Sequence, residues 1–250
     1  EGEYQENIKL IEEGKLLVQD PRTVFYYGQT CMCLGKNEKA YRLYRERSEL
    51  EGFTEERYHA YYRCGELSRS LGHDWEESFL WYCKAYEYSA KTFFIPRGEP
   101  LFRIAEYYKE KCPEISYMYL KRCCELRYPD NAILFVDRRV YDYSRWHLMI
   151  SIALIVNDMS LGKLSCCRAI ATEKKEEDIK MLEQYIPEKK EREELIKKLK
   201  EASSSTQILE KPAQKEQKEQ KEQNLQKEEL NNKQKLQQKM NNLKNKRKGK

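Results

Sequence analysis

Apolar and aromatic residues recur along the chain at steps of three and four, with little strict alternation, which predicts amphipathic helices and almost no strand. Breakers divide these helices at regular intervals. Pro21 starts one helix, with Asp20 placed to cap it, and Gly35 ends it ahead of the turn residues Lys36 and Asn37. The next runs from Glu38 to Leu50 and stops before Gly52. Thr54 is placed to cap a helix whose first turn holds Glu55 and Glu56, acids suited to the positive end of the helix dipole. That helix reaches Leu71 and stops at Gly72. Another covers Trp75 to about Ala90. Pro96 and Pro100 frame the start of Leu101–Lys111, and Pro113 and Pro129 bound Ile115–Arg127.

Helix, short turn, helix, loop is a repeating unit, and a small residue marks the first helix of each pair. Gly28 is followed by Ala40 and Tyr44, Gly65 by Ser78, Tyr82 and Ala85, and Ala105 by Tyr117 and Pro129. The small residue lets the antiparallel partner helix approach, and the aromatic fills the space beside it. The pattern resembles tetratricopeptide repeats with a slightly long period. It predicts an all-α fold of tetratricopeptide-like helical hairpins, three clear pairs and a weaker fourth over Trp146–Ala171, followed by a charged, low-complexity tail.

A narrower resemblance rests on motifs in order along the chain. These are Asp20-Pro21-Arg22-Thr23-Val24-Phe25-Tyr26-Tyr27-Gly28, Ala40-Tyr41-Arg42-Leu43-Tyr44, Glu51-Gly52-Phe53-Thr54-Glu55-Glu56 and Arg97-Gly98-Glu99-Pro100-Leu101. Tyr128-Pro129-Asp130, Leu134-Phe135-Val136 and Val140-Tyr141-Asp142-Tyr143 complete the set. Together they resemble the helical region that follows the catalytic domain in family-2-like glycosyltransferases of bacteria and giant DNA viruses. The resemblance covers about residues 4–170. It departs at Gly98, where the family usually has Ala, at Phe53, where it has Trp, and at Thr92–Ile95, a small insertion. The resemblance implies an accessory module beside a nucleotide-sugar-binding domain. The Asp-x-Asp pair that holds a metal against the leaving diphosphate in that domain is missing from this sequence, as is a Gly-rich phosphate loop. No catalytic residue carries over, and neither a cofactor nor a metal is expected.

Composition divides the chain. Residues 1–172 have a net charge of −1 and hold every Trp and Phe, whereas residues 173–250 have a net charge of +6 and only Tyr185 as an aromatic. The expected domains are a helical-repeat domain over 1–172, a charged helical segment over 173–201 and a low-complexity basic tail over 202–250. The tail contains Gln-Lys-Glu repeats over 214–223, and its last twelve residues hold six basic residues and no acid. No aromatic interleaves them, so base stacking is not supported and nucleic acid is not an expected partner. The longest apolar run, Leu148–Val156, is far shorter than the roughly 20 residues a membrane helix needs. No secretory leader opens the chain, which begins at Glu1 as a piece of a longer polypeptide would. Nine Cys without a framework spacing suit a reducing compartment, so a cytoplasmic location with mostly buried thiols is expected.

Isolated chemistry is sparse. Cys31-x-Cys33, Cys123–Cys124 and Cys166–Cys167 lack the spacing of zinc ligands. His59, His73 and His147 have no nucleophile motif nearby, and His147 beside Trp146 reads as a packing residue. In tetratricopeptide geometry the first helices line a concave face. By that resemblance the face carries Arg22, Gln29 and Met32, then His59, Tyr62, Glu66 and Arg69, then Glu99, Phe102, Glu106 and Lys109. A mixed-charge aromatic groove of this kind suits a protein segment or the surface of an adjacent glycosyltransferase domain. The sequence supports either an accessory module of that enzyme or a free-standing interaction scaffold.

Overall fold

The computed structural model describes residues 20–199 and 201. Every regular element among them is helical. In chain order these are α1 (Pro21–Cys33), α2 (Asn37–Glu49), α3 (Thr54–Ser70), α4 (Trp75–Thr92), α5 (Glu99–Tyr108) and α6 (Pro113–Glu125). A single π-helical turn, Val140–Ser144, leads into α7 (Arg145–Ile155), followed by α8 (Met159–Glu173) and α9 (Glu176–Tyr185). Sequential helices pack as hairpins α1–α2, α3–α4, α5–α6 and α7–α8, so the repeat predicted from spacing is the repeat that forms. No helix among the described residues is long and apolar enough to cross a membrane.

The turns inside three of the four hairpins reuse one device. After α1 the amide of Gly35 donates to Met32 and that of Lys36 to Cys31, with Gly35 at φ +70°. After α3 the amides of Gly72 and His73 make the same two bonds to Arg69 and Ser68. After α7 those of Asn157 and Asp158 do so to Leu154 and Ala153, with Asn157 taking the left-handed conformation at φ +61°. The pattern satisfies carbonyls that a helix end otherwise leaves unpaired. At the start of α1 the Asp20 carboxylate accepts from Thr23 N at 2.9 Å, as expected of a cap. Thr54 is not a cap: Phe53 takes the extended conformation ahead of α3, and Thr54 is its first helical residue.

Close helix approach depends on the predicted small residues. A Cβ on Gly65 would meet the buried ring of Tyr82 at 2.6 Å, and one on Gly28 would touch the Tyr44 ring at 3.4 Å. The third pair departs from this rule. There Ser116 Oγ donates to the Ala105 carbonyl at 2.8 Å, and Tyr117 reaches outward to Asp158 at 2.6 Å.

Buried arginines close two of the second helices, α2 and α6. Arg47 donates to the carbonyls of Leu50 (2.9 Å) and Phe53 (3.0 Å) beyond α2 and pairs with Glu56 at 3.2 Å. Arg145 donates to those of Cys123 and Leu126, both at 2.7 Å, at the end of α6. Glu55 and Glu56 are thus more than dipole complements. Both are buried and partnered.

The compact unit runs through Glu194, so the first part of the segment set apart at residue 173 folds with the repeats. Tyr185 of α9 fits over Gly162 of α8, where a Cβ would lie 2.0 Å from its ring, and its hydroxyl donates to the Ile150 carbonyl. Residues 189–194 are helical, and Arg192 folds back on the carbonyls of Ile186 (2.8 Å) and Pro187 (2.6 Å). The described residues of the second unit, 195–199 and 201, are helical. The basic tail over 202–250, with its Gln-Lys-Glu repeats, lies outside the described residues.

Candidate functional site

The eleven residues assigned to one concave face separate into two groups. His59, Tyr62, Glu99 and Phe102 are buried, which corrects the expectation of an open groove across all three pairs. Two features cover the first three. Tyr62 stacks on Tyr58 one turn away in α3, and its hydroxyl accepts from Arg103 Nε of α5 at 3.2 Å. The segment 126–139 also crosses the amino-terminal ends of α3 and α5. Its backbone is held at Leu134 by His59 (3.1 Å), at Phe135 by Arg97 (3.0 Å) and at Asp137 by Glu99 (3.3 Å).

The remaining members stay at the surface or half-buried. Arg22 is exposed and 3.9 Å from Glu56. Gln29 and Met32 are half-buried on α1, Met32 against the first apolar cluster. Glu66 and Arg69 join α3 to α5: Glu66 pairs with Arg103 at 3.1 Å and accepts from Tyr82 at 2.8 Å, while Arg69 lies 4.0 Å from Glu106. Glu106 and Lys109, joined by the buried Phe102, do line a groove, but its other walls are α7 and α9, which the sequence did not bring into the site.

This groove encloses about 700 Å³. Its floor is apolar, with Phe102, Leu148, Ile152, Ile155 and Met181. Glu106, Lys109 and Glu110 edge one side, and Lys175 and Glu177 the other. Its end, at the π-helical turn, is a hydrogen-bonded cluster. The buried Asp178 carboxylate accepts from Tyr143 Oη at 2.9 Å and lies 2.7 Å from His147 Nδ1. Burial, then the Asp178 hydrogen bond, push the Tyr143 phenol above its ordinary range. Half-exposed His147 packs its ring on Tyr143, as expected, and is also a polar member of the groove, held by a carboxylate. The signal for it was weak: Asp178 stands 31 residues away, in a segment read as merely charged.

None of the nine cysteines forms a disulfide. Four are buried, Cys33 is exposed and the rest lie between, so the thiols are less buried than expected. Burial pushes the Cys123 and Cys166 thiols up to about 12, which leaves them unreactive near neutrality. Among the described residues no group of three His, Cys, Asp or Glu is arranged to hold a metal.

No family model and no curated protein matches this sequence. Among solved structures the chain is similar to BtubC (BKLC) from P. vanneervenii at 15% identity. That alignment covers 82% of this chain and 91% of the other, with a TM-score of 0.49. It is also similar to the MamA RS-1 ArsTM double mutant at 16% identity, covering 76% and 99%, with a TM-score of 0.46. The architecture, a helical-hairpin scaffold, rests on the helix pairing described above.

Proposed function

We propose that the chain is a non-catalytic helical-repeat module whose groove between α5, α7 and α9 receives a protein segment, and that the module serves a glycosyltransferase. The observation that carries the docking role is the groove itself: an apolar floor between two charged edges, walled by helices that other contacts already fix. Such a surface supplies anchoring burial at its centre and orientation at its rim. What supports the glycosyltransferase role is the ordered set of motifs, from Asp20-Pro21 to Tyr143, in their family spacing. The module would buttress the catalytic domain or bring it a protein partner. A free-standing scaffold is the second reading, favoured by a groove whose three walls belong to one compact unit.

The experiment is a pull-down from the native extract with the wild-type chain and with Ile155→Asp, read by mass spectrometry. Ile155 is exposed on the groove floor, so the substitution spares the core. A glycosyltransferase chain retained by the wild type and lost from I155D supports the proposal. An unrelated protein with the same dependence supports the scaffold reading alone. Proteins retained equally by both chains sink the groove as the docking site.

A further inference from the structure

A second surface forms where the α2–α3 turn, the loop 93–98 and the segment 126–139 meet. Large apolar side chains stand exposed there: Phe94 at 95%, Ile133 at 74%, Phe135 at 48% and Phe53 at 44%. Clustered exposure of this kind marks an interaction site more often than isolated exposed residues do. Beside Phe94 lies a cavity of about 230 Å³, walled by Phe93, Ile95, Pro129 and Ala132 and reached by Glu55 and Arg97.

The walls are held open by hydrogen bonds. The Glu55 carboxylate accepts from the amides of Ile133 (2.9 Å) and Leu134 (2.6 Å). Phe135 is held at φ +30°, a conformation a bulky residue adopts only under constraint, with its carbonyl on Arg97 and its ring edge-on to His59. A cavity so fixed need not be ordered when something enters it.

Arg97 supplies the polar half of the argument. It is 1% exposed. Its Nε and Nη2 donate to Glu99, Nη2 also donates to the Phe135 carbonyl, and the guanidinium lies 4.6 Å over the Tyr58 ring. Its Nη1 has no acceptor. A buried charged donor without a partner is expensive, and such groups are rare in folded proteins. An incoming carboxylate would approach Glu55, which already reaches the cavity, so a neutral carbonyl suits the place better.

We propose that this cavity docks a segment of another protein, which inserts one large apolar side chain beside Phe94 and sets a main-chain carbonyl on Arg97 Nη1. The proposal is independent of the groove. Its test uses N-acetyl-phenylalaninamide as probe and N-acetyl-glycinamide as the control without a side chain, followed by NMR on the full chain. The phenylalanine compound should shift the amides of Ile95, Ala132 and Ile133 and the Arg97 side-chain signals saturably, at about 1–10 mM. Ala132→Trp, which fills the cavity, should abolish the response. Phe94→Ala, which removes a side chain that the core does not use, should weaken it several-fold and guards against misfolding of A132W. I155D should leave it unchanged. The proposal falls if no saturable shift appears, if the glycine compound acts equally, if both cavity variants bind like the wild type, or if I155D alone removes binding.

Discussion

At the residue scale, the small-residue positions that spacing picks out differ in how much room they leave. Gly65→Ala would drive a methyl group into the Tyr82 ring, whose hydroxyl is tied to Glu66, and is expected to cost about 1–3 kcal/mol in urea unfolding. Gly28→Ala meets Tyr44 at ordinary contact distance, so removing a helix-interior glycine should add about 0.5–1 kcal/mol. Glu56→Ala leaves Arg47 buried without its counter-charge and should lose about 3 kcal/mol. His59 gives a pH signature. Burial, then the charge of Arg97, lower its pKa to about 3, so the folded protein keeps it neutral while the unfolded chain takes up a proton near 6.5. Its contribution is complete above pH 6.5 and is lost as pH falls towards 3, with a slope of up to about 1.4 kcal/mol per pH unit. Unfolding of His59→Gln followed across that range should show a flatter acid limb than the wild type. The sequence offered Gly65 and Tyr82 because packing partners in a hairpin sit at fixed spacing. It could not offer the Arg97 charge that acts on His59, which depends on loops meeting in space.

At the scale of elements, proline and glycine made the helix boundaries legible, since each acts on its own neighbours. Gly35, Gly72 and Pro113 stand where the sequence placed them. Asn157 performs the same task at the end of α7 and was missed, because asparagine signals the left-handed conformation less strongly than glycine. The path of the segment 126–139 was not legible, although two of its motifs entered the resemblance. It has no apolar period, and its anchors lie up to 79 residues away on α3. Glu55 is its principal tie. Glu55→Ala should therefore abolish the slow amide exchange of Ile133 and Leu134 while leaving that of the α7 interior intact, measured by hydrogen exchange. Equal exchange in both proteins would mean the segment is held by His59, Arg97 and Glu99 without Glu55.

For the whole molecule, α9 acts as a cap. A stack of hairpins ends in an apolar face, and terminal elements with a charged outer side are what keep such stacks soluble. Tyr185 and Leu182 are buried, while Glu176, Lys180 and Glu183 face water. A chain ending at Glu194 should retain the melting temperature of the full protein; one ending at Thr172 should melt lower and aggregate, as read by light scattering. The composition shift at residue 173 hid this, because a capping helix is charged for the same reason a tail is. The π-helical turn at Val140–Ser144 has its own consequence for how the module can change over generations. It is a one-residue widening, and each helical residue advances the direction of a side chain by about 100°. Within it Tyr141 reaches Glu99 and Tyr143 reaches Asp178. Loss of a single residue there would leave every downstream amino acid in place in the chain yet rotate the fourth hairpin against the third. The turn therefore works as a phase setting, and insertions or deletions should be tolerated in the loops around it long before they are tolerated inside it.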